Sequence, residues 1–174
     1  MGLVEGTDLD QLNSLSAKEA EGEFRKCCGS QRWARQMASA RHFTSFNELS
    51  ETAERVWWSL EPVDWLEAFR SHPKIGEKKA AVVNSEQSRE WSAAEQAGVG
   101  DAENSTLVTL ADLNQKYEEK FGYIFIVCAS GKSSEEMLAI LRSRLENNPD
   151  EELRIAAAEQ AKITELRLKK LVEI

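Results

Sequence analysis

"YIFIVCA", residues 123–129, is the stretch on which the fold class turns. It carries no charge and no proline, and it is rich in the β-branched and aromatic side chains that favour a strand. A buried strand needs a partner, because a backbone amide or carbonyl left unpaired away from water costs about as much as a lost hydrogen bond. No second stretch of the chain offers a convincing partner. The segment is therefore expected to be buried and either extended or irregular, or else helical against its propensity. Each outcome leaves an all-α fold.

The flanking sequence is helical. In residues 105–121, Leu107, Leu110, Leu113, Asn114, Tyr117 and Phe121 recur at three- and four-residue steps, which is one face of a helix, and Gly122 is its natural stop. Downstream, Ser133-Ser134-Glu135-Glu136 caps a helix carrying Met137, Ile140, Leu141 and Leu145. Pro149 opens a long final helix whose inner stripe includes Leu153, Ala157, Ile163, Leu166 and either Leu171 or Val172.

The N-terminal half repeats the pattern. Ser16 with Glu19, and Ser45 with Glu48, read as capping boxes, in which a serine and a glutamate satisfy each other's orphan amides. The first starts a short helix to about Cys27, and the second a stronger one through Trp58. Between them "SQRWARQMASA" reads as a helix with Trp33, Met37 and Ala34 inward. A fourth helix begins at Pro62 and stops before Pro73, which disfavours helical backbone at His72. Residues 74–89 read mainly as loop, and "SREWSAAEQAGV" as a helix ending near Gly98. The whole is expected to be a single compact multi-helix domain over residues 13–174, preceded by a tail over residues 1–12.

Composition narrows the function. The chain has 174 residues, 41% of them apolar, and a net charge of -8. Its charges are mixed along the chain, with no basic block to track phosphates or an anionic membrane. No nucleic-acid or membrane partner is expected. The N-terminus lacks a basic region and an apolar run, and the C-terminal "LVEI" is not a peroxisomal tripeptide, so the expected location is cytoplasmic. The three cysteines, Cys27, Cys28 and Cys128, show no metal-ligand spacing. They read as small core residues in a reducing compartment, with a nucleophilic role for Cys128 as the alternative. The two histidines stand apart and no HExxH is present, so no metal is expected.

Three places bear chemistry. His72 ends an apolar helix, Pro73 fixes the exit of the chain, and Gly76 allows close backbone approach. Most histidines at a helix end are structural, but this frame can hold an imidazole at the rim of a pocket as a general acid or base. His42 has no such frame and reads as structural. In "SAAEQAG", Ser92, Glu95 and Gln96 converge on one helical face, a hydrogen-bonding comb suited to a urea or amide ligand. The plainer reading is a solvated helix capped by Ser92. Arg167, between Leu166 and Leu168, is either a surface arginine or a fork that grips a carboxylate.

"SHPKIGEK", "SAAEQAG", "LNQKYEEKFGYIFIVCASGK" and "ITELRLKKL", in that order, resemble the 2-oxo-4-hydroxy-4-carboxy-5-ureidoimidazoline (OHCU) decarboxylase family over roughly residues 13–172. "KCCGS" and "DWLEAF" resemble the plant members, in which this domain is fused to a transthyretin-like hydrolase; this chain reads as a stand-alone decarboxylase. The resemblance implies an all-helical homodimer with no cofactor and no metal. It implies that the ureidoimidazoline is decarboxylated to (S)-allantoin, with a functional link to a hydroxyisourate hydrolase. It places the catalytic pair on His72 and Glu95, and substrate contacts on Pro73, Ser92, Gln96 and Arg167. The competing expectation is a helical ureide-binding or interaction module that keeps the fold without the activity.

Overall fold

Serine hydroxyls mark where many of the helices begin. The computed structural model describes residues 8–74, 90–91, 94–95 and 104–172. The helices in chain order are α1 (Asp8–Ser14), α2 (Ala17–Cys27), α3 (Gln31–Ala40), α4 (Phe46–Trp58), α5 (Pro62–Phe69), α6 (Asn104–Phe121), α7 (Ser134–Arg144) and α8 (Pro149–Leu171). Residues 90–91 and 94–95 are also helical. The fold is all-α, as expected. Most of the 74–89 loop, together with Gly76, Ser92, Gln96 and Gly98, lies outside the described residues.

At α2 the capping box is complete: Ser16 Oγ accepts from Glu19 N at 3.2 Å, and the Glu19 carboxylate accepts from Ser16 N at 3.0 Å. At α4 only half of the expected box forms. Ser45 Oγ accepts from Glu48 N, but the Glu48 carboxylate reaches one residue further back, to Thr44 N at 2.8 Å and Thr44 Oγ1 at 2.7 Å. Thr44 thereby gives the carboxylate both of its donors, the backbone N–H and the hydroxyl. Ser30, Ser133 and Asn148 cap α3, α7 and α8. α1 spans the boundary drawn at residue 13, and its Leu12 is buried.

Helices α2 to α5 and α8 enclose the larger core, with Phe24, Trp33, Met37, Leu49, Trp57, Phe69 and Leu168 inside. Three indole N–H groups are spent on helix carbonyls: Trp33 on Ala53 at 3.1 Å, Trp57 on Ala157 at 2.9 Å and Trp65 on Trp57 at 3.0 Å. The first two pin α3 to α4 and α4 to α8, so large apolar rings are buried with no orphan donor. Helices α6 and α7 enclose a second cluster around Leu110, Tyr117, Met137 and Leu141. α6 ends at Gly122, whose φ of 83° suits glycine and whose N–H closes onto Glu118 O.

Residues 124–129 run between the two cores without regular structure. Their side chains alternate, as in any extended chain. Ile126 and Cys128 enter the larger core, while Phe125, Val127 and Ala129 enter the smaller one. Among the described residues, side chains satisfy three of the segment's backbone groups. Arg144 Nη1 donates to Ile126 O, Lys132 Nζ donates to Cys128 O at 2.7 Å, and Cys128 N donates to Glu159 Oε1 at 3.3 Å. Arg144 is itself held by the fully buried Glu152, Nε to Oε1 at 2.6 Å, and Tyr117 Oη donates to the same oxygen at 2.7 Å.

Candidate active site

The end of α5 delivers the histidine. Ala68 and Phe69 are fully buried, and beyond them two tight turns follow, Ser71 N to Ala68 O and His72 N to Phe69 O, each at 3.2 Å. Pro73 cannot continue the helix. Lys74 Nζ meets Glu118 Oε2 at 2.8 Å, which ties the outgoing chain to α6. The imidazole that results is 7% exposed.

Its partner comes from α8. His72 Nε2 lies 2.6 Å from Gln160 Oε1, and Gln160 Nε2 donates to Thr164 Oγ1 at 3.0 Å. Gln160 is fully buried and Thr164 nearly so. One helical turn on, Arg167 donates from Nε to Glu95 Oε1 at 3.0 Å and from Nη2 to Glu95 Oε2 at 3.1 Å. Its Nη1 reaches Lys26 O near the end of α2 at 3.4 Å. The fork read from sequence thus grips a carboxylate of the protein itself.

The electrostatics follow from burial. His72 is held far below its ordinary pKa, at about 3, first by loss of solvent and then by the Arg167 charge, against the opposing effect of its hydrogen bond to Gln160 Oε1. At neutral pH the ring is neutral. Burial also pushes up the thiols of Cys27 and Cys128, and that of Cys28 to about 12. The three cysteines are free and buried. Protonated thiols in such places are poor nucleophiles, which fits the core reading of Cys128.

Sequence reasoning therefore singled out His72, Pro73, Glu95 and Arg167 among the described residues, while Ser92 and Gln96 lie outside them. The buried polar cluster brings together His72, Glu95 and Arg167. His72 and Glu95 each take a different primary partner, and the Arg167 charge acts on both. Sequence reasoning missed Gln160 and Thr164. A signal was available: Gln160, Thr164 and Arg167 stand at i, i+4 and i+7 on α8. A separate groove of about 240 Å³ between α4 and α8 is lined by Trp57, Trp58, Lys162, Thr164 and Leu168, among others. The charged groups along it, Glu54, Lys162 and Glu165, are exposed. The buried cluster is the better candidate, because in it a neutral imidazole and an oriented carboxylate both feel the charge of Arg167.

A family model described as OHCU decarboxylase matches residues 13–169. The chain belongs to that family. The bifunctional uric acid degradation protein of Arabidopsis thaliana is 44% identical over 158 residues, which is 90% of this chain and 48% of that protein. This chain therefore spans about half the length of that relative. An OHCU decarboxylase of Haloferax volcanii is 28% identical over 163 residues, covering 92% of this chain and 93% of its own. A crystal structure of an OHCU decarboxylase in the presence of (S)-allantoin superposes with a TM-score of 0.73 at 44% identity, over 88% of this chain and 99% of that one. The compact helical domain described above is the OHCU decarboxylase fold.

Proposed function

We propose that this protein decarboxylates 2-oxo-4-hydroxy-4-carboxy-5-ureidoimidazoline to (S)-allantoin and CO2 without a cofactor. The observation that carries the reading is the buried cluster itself, in a chain of this family: Arg167 grips the Glu95 carboxylate and its charge also acts on the neutral, buried His72. One ring carbon of the substrate bears both a hydroxyl and a carboxylate. When the bond to the carboxylate breaks, CO2 leaves and the electron pair moves onto the neighbouring C=N, so the substrate ring is its own electron sink. The nitrogen takes one proton, the ureido-bearing carbon takes another on one face, and the hydroxyl gives one up to become the ring carbonyl. The net uptake is one proton.

In this scheme His72 serves as acid and base at the hydroxyl and the departing carboxylate. Glu95, kept in place by Arg167, steers the substrate carboxylate by proximity and takes part in proton delivery. Pro73, Ser92, Gln96 and Arg167 line the polar rim of the ring and the ureido group. The substrate also decays unaided, so much of the enzyme's value lies in protonating a single face. The reading extends to a cytoplasmic homodimer, checked by light scattering on a sizing column, working beside a hydroxyisourate hydrolase.

The test generates the substrate in place with urate oxidase and hydroxyisourate hydrolase, adds this protein, and follows circular dichroism. A fast rise of the (S)-allantoin signal, lost in His72→Ala and Glu95→Ala, supports the reading. A His72→Asn variant with full rate and full enantiomeric excess removes His72 from the proton steps. Slow racemic allantoin, unchanged by the protein, points to a ureide-binding module instead.

A further inference from the structure

We infer that Gln160 is a positioning residue that fixes the tautomer of His72, placing the proton on Nε2 and leaving Nδ1 as the basic atom. The hydrogen bonds run inward from Thr164. Gln160 Nε2 donates to Thr164 Oγ1 at 3.0 Å, which turns the amide oxygen toward the imidazole. That oxygen carries no hydrogen and can only accept. At 2.6 Å from it, His72 Nε2 must be the donor. A neutral imidazole has a single N–H, so the lone pair available for chemistry is on Nδ1. Nδ1 has no hydrogen bond to any described residue. Gln160 is fully buried and lies on a well-packed helix, so its amide has no water to turn toward. The arrangement matches the general rule that a histidine's working nitrogen is chosen by the hydrogen bond its other nitrogen makes.

The consequence for catalysis rests on the proposed decarboxylation. Nδ1, on the backbone side of the ring, is then the atom that takes the hydroxyl proton, and Gln160 keeps it unprotonated without touching substrate.

The assignment is tested without substrate. The chain has only two histidines, His42 and His72, so long-range proton–nitrogen NMR on histidine-labelled protein gives two patterns, and His42→Gln identifies them. At neutral pH His72 is expected to show a protonated Nε2 and an unprotonated Nδ1. In Gln160→Met, which keeps the length of the side chain and removes the acceptor, the two nitrogens are expected to move toward averaged shifts. Thr164→Val, which frees the amide to turn, is expected to do the same in part and serves if Gln160→Met does not fold. A protonated Nδ1 in the parent protein, or a pattern unchanged in the folded variants, overturns the inference. In the decarboxylation assay, Gln160→Met is expected to lower kcat on the order of 100-fold with KM little changed, at the lower end of what general acid–base catalysis contributes. Activity alongside a protonated Nδ1 would retain the decarboxylase and discard the role of Gln160. An inactive protein with the expected tautomer, lost in Gln160→Met, would do the reverse.

Discussion

Arg167 holds Glu95 by both carboxylate oxygens, at 3.0 Å and 3.1 Å, across 72 residues of sequence. Both side chains are almost wholly removed from water. Two charges in such a place are costly to desolvate, and their mutual geometry recovers that cost only while both are present.

Removing one partner strands the other. Arg167→Ala is expected to lower stability by roughly 3–5 kcal/mol, read by urea unfolding. Arg167→Lys keeps the charge but loses the fork. Giving up one charge-assisted bond costs about 1.5–3 kcal/mol, so kcat/KM should fall about 10- to 100-fold. A lysine variant with parental kcat/KM would mean that two-point orientation of Glu95 is unnecessary.

Acid should unfold the protein through His72. The folded ring binds a proton only near pH 3, whereas its ordinary value is 6.5. Between those values the unfolded chain takes up a proton that the folded chain refuses, so stability falls as pH falls. The contribution is whole above the unfolded value and is lost toward the folded one, up to about 5 kcal/mol in all. Urea midpoints measured across this range should slope less steeply in His72→Asn than in the parent. Parallel slopes would show that other groups carry the acid sensitivity.

The pair of Arg144 and Glu152 is expected to resist apolar replacement. Glu152→Ala should cost roughly 3–5 kcal/mol, as for any broken buried pair. Replacing both with apolar residues often restores such losses, but here Arg144 also serves the Ile126 carbonyl. The double variant should remain at least about 1–3 kcal/mol short, the cost of an orphaned buried acceptor, with the buried Tyr117 hydroxyl losing its acceptor as well. Full recovery in chemical unfolding would show that the carbonyl finds another donor.

Cys128→Ala should leave turnover unchanged. The thiol is kept protonated by burial, and the backbone N–H at that position, not the sulfur, makes the contact to Glu159. Loss of activity in a well-folded alanine variant would revive the nucleophile reading.

Much of the fold was legible because its signals are local. Ser16 and Ser133 cap within four residues, Gly122 stops α6 where the periodicity ends, and Pro73 stops the turn that bears His72. At Ser45 the local rule was half right, since it could not weigh Thr44 as a rival donor. The site was legible where a side chain's neighbours announce it, as in His72-Pro73. Gln160 went unread because its partner is 88 residues away, and a glutamine between Glu159 and Ala161 looks like a surface residue until His72 is set against it. Glu152 and Arg144 are similar: nothing in the string separates a charge facing water from one facing Ile126.

Residues 123–129 carry one further implication, for how this protein fails. An uncharged, proline-free run rich in Tyr, Ile, Phe and Val has the composition of a segment that seeds cross-β aggregation. In the native chain Arg144, Lys132 and Glu159 occupy backbone groups that another molecule's strand would otherwise seek. The same three side chains therefore act as a sheath against self-association. Damage to them should surface as insoluble protein before it surfaces as a slow enzyme.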